Sequence, residues 1–139
     1  MAVKPIPEGW RSITPRLVVH EPARLVDFLK RVFNGTGSFN EGRPSEIRIG
    51  DSMVMVSGVL GASPSLPAYL YLYLEDVDSA YDRALAAGAL SLEAPHKLHY
   101  GDRRATIKDP AGNVWQIGTH VEDVAPDELE RRLKKLQDG

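Results

Sequence analysis

The sequence of 139 residues contains no cysteine. This absence excludes a disulfide framework, a zinc site built on thiolates and a cysteine nucleophile. The formal net charge is only −2 and both signs are dispersed along the chain, so no basic stripe indicates a nucleic-acid partner. No apolar run is long enough to cross a bilayer, and the N-terminus lacks the apolar core of a signal peptide. We therefore expect a cytoplasmic protein without a membrane partner.

What the sequence does contain is typical of a globular protein, with 42% hydrophobic and 26% charged residues. Its length fits one domain over residues 1–139 with a core of its own. Within it, the order strand, helix, short strand and hairpin occurs twice. We place module one at about 10–58 and module two at about 68–120. A linker dominated by Gly, Ala, Ser and Pro joins them at about 59–67.

Module one begins with a predicted strand at 12–19, in which Pro15 favours an edge position or an irregular start. A helix is predicted from Pro22, with apolar residues at helical spacing, to Asn34 and Gly35. Residues 38–40 are a candidate for a short strand. The alternation on both sides of the turn at Gly50 predicts a hairpin of 46–49 and 52–57.

Module two repeats this order. Tyrosine and leucine alternate strictly over 69–74, which predicts a half-buried strand. Acidic residues at 75–78 begin a helix that ends at Gly88. A short strand is predicted at 90–92, and 104–108 and 114–119 form a hairpin around the turn at 109–113.

The predicted fold class is therefore α+β, with two βαβββ modules that form a curved, cupped mixed sheet. A C-terminal helix at about 126–137 completes the chain. Its acidic start and basic end suit the helix dipole, and Leu129, Leu133 and Leu136 form one apolar stripe. This stripe packs either on its own domain or on a second subunit.

Six stretches of the chain occur in an informative order, at 13–19, 48–52, 72–78, 100–103, 108–115 and 119–124. Together they resemble the vicinal oxygen chelate superfamily of glyoxalases, bleomycin-resistance proteins and extradiol dioxygenases, and within it the PhnB-like branch. The resemblance implies paired βαβββ modules, often in a homodimer. In the metal-dependent members it also implies a divalent ion in the cup, held by His, Gln or Glu at four strand positions.

Of the four positions that the resemblance assigns to metal ligands, only Gln116 carries one of these residue types. The four positions fall on Thr14, Tyr69, Gln116 and, in module one, on Ser57 or Met55. A hard divalent cation prefers carboxylate or imidazole ligands, which this set lacks. We therefore predict that the usual metal is absent, and we predict no other cofactor.

The histidines give no strong replacement for that site. His96 and His99 lie three residues apart in a segment that we interpret as a loop. Two loop histidines without a fixed third ligand usually belong to the polar surface. His120 follows the last predicted strand, and hydrogen bonding at the strand end is the simpler interpretation of it.

Strand alternation assigns the side chains to a helix-facing and an open face. The predicted ligand-binding residues on the open face are Thr14, Arg16, Arg48, Met53, Met55, Ser57, Tyr69, Tyr71, Tyr73, Arg104 and Gln116. Tyrosine rings and thioethers make an adaptable apolar floor, and the arginines add positive charge. Such a face suits a partly aromatic or anionic ligand, and contact with a second subunit is the alternative.

These observations favour a metal-free protein that binds a small molecule in the cup. The alternative is a lyase or isomerase of the same superfamily, with a shifted metal site or with Glu46, Tyr69 or Tyr73 as acid or base. Glu46 is the only carboxylate that we expect on the open face, where Arg48 would pair with it. A third interpretation is an interaction module whose cup another chain fills.

Overall fold

The computed structural model of the chain describes residues 2–59 and 65–138 and has the predicted α+β class. Residues 60–64 of the predicted linker lie outside these ranges. Module one contains β1 (Arg16–Val19), α1 (Pro22–Phe33), β2 (Ser45–Ile49) and β3 (Ser52–Gly58). Module two contains β4 (Tyr69–Tyr73), α2 (Val77–Ala86), β5 (Leu90–Lys97), β6 (Asp102–Lys108) and β7 (Val114–His120), and α3 (Pro126–Asp138) follows it.

The two modules share the pairing of their first strand with their last hairpin, as the sequence repeat predicts. The first strand of each module pairs in parallel with its last strand, and the last strand belongs to an antiparallel hairpin. Sheet one has the order β1-β3-β2 and sheet two the order β4-β7-β6-β5. Both sheets are therefore mixed, and they differ by one strand.

The strand missing from sheet one is the candidate at 38–40, and that prediction was wrong. Only a bridge between Thr36 and Arg48 is formed there. Gly37 has a φ of +135°, and a side chain at this position would collide with the backbone of β2. Asn40 then turns the chain, because its Nδ2 donates to the carbonyl of Pro44 at 3.1 Å. The resulting loop at 39–44 lies beside the end of β3.

Both module helices lie where the sequence predicts them. α1 begins at Pro22, and Asn34 ends it in the left-handed region with a φ of +56°. α2 follows Asp76, whose side chain accepts a hydrogen bond from the backbone N–H of Ser79 at 3.1 Å. Each helix covers one face of the sheet of its own module.

The helix-covered faces of the two sheets share one hydrophobic core. Phe33 at the end of α1 lies against Trp115 of β7, with 5.0 Å between the ring centroids. Arg83 of α2 also joins the modules, since its Nε and Nη2 donate to the carbonyl of Val32 at 3.1 and 2.8 Å. Because the shared core takes the helix-covered faces, each module presents its open face to solvent separately.

The edge strand β5 is longer than the sequence predicts. It extends over Leu90–Lys97 instead of ending at Leu92. Pro95 is tolerated because β5 has a neighbour on one side only, and register shifts before and after Glu93 make its path irregular. His96 therefore lies on a strand opposite Arg104, and its assignment to a loop was wrong.

A buried carboxylate organises the turn between β6 and β7. Asp109 Oδ1 accepts from the backbone N–H groups of Ala111 (2.8 Å) and Asn113 (3.0 Å). Its Oδ2 accepts from the indole Nε1 of Trp115 at 2.8 Å. Gly112 supplies the positive φ of +93° that closes the turn. This turn anchors the indole of Trp115 in the shared core.

The C-terminal helix α3 lies at its predicted position, but none of its residues is buried. Arg132 attaches it through hydrogen bonds to Glu122 (2.9 and 3.0 Å) and to the carbonyl of His99 (3.0 Å). Leu133 and Leu136 of the predicted apolar stripe are exposed. Among the helices of the described ranges, none is long and apolar enough to cross a membrane.

Candidate functional site: the open face of sheet two

Three tyrosines of β4 dominate the open face of sheet two. Tyr69, Tyr71 and Tyr73 are 66%, 37% and 59% exposed, whereas the leucines between them pack against the core. The predicted assignment of β4 side chains to the two faces therefore agrees with the structure. We call the surface formed by these three residues the tyrosine face. Tyr71 lies opposite Gln116 of β7, which also belongs to the predicted site.

The hydroxyl groups of two of these tyrosines converge on one buried carboxylate. Asp102, at the start of β6, is 1% exposed. Its Oδ2 accepts hydrogen bonds from Tyr71 (2.6 Å) and Tyr73 (2.8 Å), and its Oδ1 lies 2.8 Å from His120 Nδ1. Gly118 of β7 leaves room for this arrangement, since a Cβ there would lie 2.8 Å from the hydroxyl of Tyr71. The two rings are held 5.1 Å apart between centroids.

The hydrogen bonds continue across the face to a second carboxylate. The hydroxyls of Tyr71 and Tyr100 are 3.0 Å apart, and Arg104 Nη1 donates to Tyr100 at 3.1 Å. Since Tyr71 donates to Asp102, Tyr100 donates to Tyr71. Arg104 also binds Glu93 through Nε and Nη2, both at 2.9 Å. The chain of donors therefore runs from Arg104 towards Asp102.

Two further side chains complete the arrangement around Glu93. Thr106 donates to its Oε1, and His96 Nε2 lies against its Oε2, each at 2.9 Å. We call the whole set the open-face network. It comprises Glu93, His96, Tyr100, Asp102, Arg104, Thr106, His120, Tyr71 and Tyr73.

The protonation states follow from these contacts. Burial opposes the charge of Asp102, but hydrogen bonds from Tyr71, His120 and Tyr73 hold its pKa below the ordinary value. The hydrogen bond to Asp102, aided by one to Asp123, raises the pKa of His120. Burial and the bond to Asp102 raise the pKa of Tyr71 well above its usual range. Asp102 is therefore an anion held by two neutral phenols and by the ring of His120.

Glu93 is also firmly ionised. The guanidinium of Arg104 lowers the pKa of Glu93 to about 2, with smaller contributions from His96 and Thr106. Arg104 contacts Tyr100 and Glu93 on the open face, and the positive charge expected from it is paired with Glu93. The expectation that Glu46 is the only carboxylate on an open face is wrong, since Glu93 and Asp102 both contact open-face side chains.

The predicted residues of module one lie on a separate open face. Arg16 Nε donates to the hydroxyl of Ser57 at 3.1 Å, and Thr14 is half-buried just before β1. Met53 and Met55 are half-buried on β3. Within the described ranges, no hydrogen bond or ion pair joins these residues to the tyrosine face.

The other two predicted residues of module one do not pair with each other. Arg48 Nη2 donates to the carbonyl of Gly9 at 3.2 Å, so the N-terminal segment occupies this guanidinium. Glu46 is exposed, and within the described ranges it has no cation within 4.0 Å. The predicted ion pair between Glu46 and Arg48 is therefore absent from this part of the structure.

The strand registers identify the module-one counterpart of Gln116. Arg16 lies opposite Met55 as Tyr71 lies opposite Gln116, so Met55 rather than Ser57 takes the fourth expected ligand position. The set Thr14, Met55, Tyr69 and Gln116 supplies hydroxyl, thioether, phenol and amide groups. These donors do not fit a hard divalent cation. In the described ranges no three His, Asp or Glu side chains are grouped as metal ligands either.

Sequence reasoning missed the residues that organise the site. Asp102 and Arg104 are two apart on β6, and His120 continues the spacing of Gln116 and Gly118 on β7. If the predicted strand at 104–108 had begun two residues earlier, alternation would have placed Asp102 on the open face. If the strand at 114–119 had ended one residue later, it would have placed His120 there too. Tyr100 has no such signal, because it lies in the loop before β6.

The comparisons with known proteins decide the family. A profile of the "Glyoxalase/Bleomycin resistance protein/Dioxygenase superfamily" matches residues 12–117, which is most of the chain. The chain belongs to this superfamily. The sequence resemblance to that superfamily is therefore confirmed at this level.

Individual relatives support the family assignment but do not identify a more specific function. An uncharacterised protein of Mycobacterium tuberculosis is 26% identical over 145 residues, which cover 92% of this chain and 85% of that protein. TioX from Micromonospora sp. ML1 has a TM-score of 0.68 at 24% identity, over 80% of this chain and 99% of TioX. A glyoxalase/bleomycin resistance protein/dioxygenase family enzyme from Burkholderia phytofirmans has a TM-score of 0.67 at 18% identity, over 78% and 97% of the two chains. At these identities the structures show the fold alone.

Proposed function

We propose that this member of the superfamily is a metal-independent small-molecule-binding protein that holds a partly aromatic ligand against the tyrosine face. The observation that carries the proposal is the pair of exposed rings whose hydroxyls are tied to Asp102. Exposed aromatic side chains that are already fixed lose little conformational entropy when a ligand stacks on them.

The charges on this face favour binding over acid–base catalysis. Asp102 already accepts three hydrogen bonds, and Glu93 is held ionised by Arg104. An efficient general base needs a pKa near neutrality, whereas the pKa values of both carboxylates are lowered. For the lyase or isomerase alternative, the strongest candidate for a catalytic group is the Asp102–His120 pair, in which a carboxylate orients an imidazole. Its Nε2, however, lies 2.7 Å from Asp123 and is not free for a substrate.

The homodimer and the PhnB-like assignment belong to the same proposal. In the part of the chain that the structure describes, no strand of sheet one lies next to a strand of sheet two, so we infer that a cup that encloses a ligand requires a second copy. A two-fold arrangement would place sheet one of one subunit against sheet two of the other. The exposed tyrosines of β4, which is an edge strand, are consistent with such a partner.

Titration of the ¹⁵N-labelled protein with naphthalene-2-carboxamide, a neutral aromatic probe, tests the proposal. We expect amide shifts around β4 and β7, unchanged after EDTA treatment. Tyr69→Ala should weaken binding at least about fivefold, because one stacked ring is worth about 1 kcal/mol or more. Tyr81→Phe is the matched control, since Tyr81 lies on α2 and bonds to Ser91 at 2.6 Å.

Three outcomes would overturn the proposal. They are the absence of shifts on β4, binding that EDTA abolishes, and equal losses of affinity in the Tyr69 and Tyr81 variants. Turnover of the probe or of a related carbonyl compound that His120→Gln abolishes would favour the enzymatic alternative.

A further inference from the structure

A recess lies on the open face of sheet one and is separate from the tyrosine face. It has a volume of about 270 Å³, and the side chains that matter for its chemistry are those of Arg16, Phe39, Asn40, Glu41, Arg43 and Ser57. The loop at 39–44 forms one wall, and in chain order it takes the place of the extra strand β5 of module two. The sequence had indicated Arg16 and Ser57 but none of the loop residues.

Hydrogen bonds hold the loop wall in place. The backbone N–H of Asn40 donates to the hydroxyl of Ser45 at 2.8 Å, and its Nδ2 donates to the carbonyl of Pro44 at 3.1 Å. Arg43 Nη2 lies 3.4 Å from Asn40 Oδ1. The recess is therefore formed before any ligand enters it.

The recess contains hydrogen-bond donors that no neighbouring residue in the described part of the chain uses. Arg16 uses its Nε on the buried hydroxyl of Ser57 at 3.1 Å, which leaves both of its terminal nitrogens. Within the described ranges neither Arg16 nor Arg43 has a carboxylate within 4.0 Å. Glu41 also lines the recess, so two guanidinium groups face one exposed carboxylate and the sum is positive. A carboxylate that binds here gains charge-assisted hydrogen bonds.

An aromatic wall stands beside these donors. Phe39 is partly exposed at the recess, and two prolines, Pro22 and Pro44, complete its apolar side. A cavity of about 150 Å³ accommodates benzene, so about 270 Å³ suits one or two rings. We propose that this recess binds the carboxylate end of a small aromatic acid, with the ring against Phe39.

This inference goes beyond the proposed function, because it assigns a second site, for an anionic ligand, to the open face of sheet one. The test compares 2-naphthoate with the neutral naphthalene-2-carboxamide on the intact ¹⁵N-labelled protein. We expect 2-naphthoate to shift the backbone amides of residues 39–43, 57 and 58. The carboxamide should bind there at least about tenfold more weakly, because it loses the charge-assisted bonds.

Two matched substitutions locate the charge. Arg43→Gln should weaken 2-naphthoate binding at the recess at least about fivefold. Arg31→Gln, on the outer surface of α1 beside Asp27, removes the same charge elsewhere and should leave the affinity unchanged. The heteronuclear spectrum of each variant shows whether it is folded.

The outcomes separate this inference from the proposed function. Equal affinity for the acid and the amide, no amide shifts at residues 39–43, or no effect of Arg43→Gln overturns the recess. In that case, shifts on β4 that Tyr69→Ala abolishes leave the proposed function standing. Recess shifts without any on β4 support the recess and overturn the tyrosine face as a binding surface.

Discussion

At the scale of single residues, Asp102 determines how the tyrosine face is built. It is a buried anion whose three donors come from two other strands, β4 and β7. Leaving a buried carboxylate without partners costs several kcal/mol, so the donors and the acid stabilise each other's positions. The orientation of Tyr71 and Tyr73 is thus a consequence of one buried charge on the open face of sheet two.

His120 makes this arrangement dependent on pH. Its pKa is raised by Asp102 and Asp123, so its favourable contribution is complete below its unfolded pKa of about 6.5. The contribution is lost as the pH rises through the folded-state pKa. Asp102 has the opposite sign, because its lowered pKa makes its contribution complete above about pH 4 and lost in acid.

We therefore expect His120→Gln to destabilise the protein more at pH 6 than at pH 9. Urea unfolding of both proteins between these values measures the difference. In an NMR titration of the ring, the pKa of His120 should lie above its ordinary value and fall in Asp102→Asn. A pKa for His120 that Asp102→Asn leaves unchanged would contradict the assigned hydrogen bond.

At the scale of elements, α3 differs from the other helices because no side chain of it is buried. Glu122 lies 2.9 Å from Arg132 and 3.4 Å from Lys97, and these cations lower its pKa to about 2. The attachment of α3 therefore depends on an ion pair instead of on its apolar stripe.

Arg132→Ala should release α3 while leaving the two sheets intact. We expect amide exchange within 126–138 to become at least about tenfold faster, since local opening no longer breaks the bonds to Glu122 and His99. Exchange in β6 and β7 should not change. Lys134→Ala is the control, because this exposed lysine lies on the same helix. Unaltered protection in α3 would mean that another contact holds the helix.

At the scale of the whole molecule, the separation of the open faces leads to an expected assembly. One chain has a mass of 15.3 kDa, and the proposed homodimer has twice that mass. Sedimentation equilibrium at micromolar concentration should give the dimer mass. A strict monomer that still binds 2-naphthoate would contradict the shared cup without affecting the recess.

The elements and the faces of this protein could be predicted from its sequence because their signals are local. Periods of 2 and 3.6 residues located α1, α2 and β4, and the alternation of Tyr and Leu assigned the face of β4 correctly. Predicted strand boundaries were wrong where tertiary context overrides the local signal. For example, β5 continues through Pro95 because it is an edge strand.

The tertiary structure alone decided which side chains share the site. Tyr71 and Asp102 are 31 residues apart and meet only because the strand order places β7 between β4 and β6. Likewise, the charge of Arg104 is paired because the irregular β5 brings Glu93 to it. Sequence periodicity states which way a side chain points, whereas non-local strand pairing determines what it meets there.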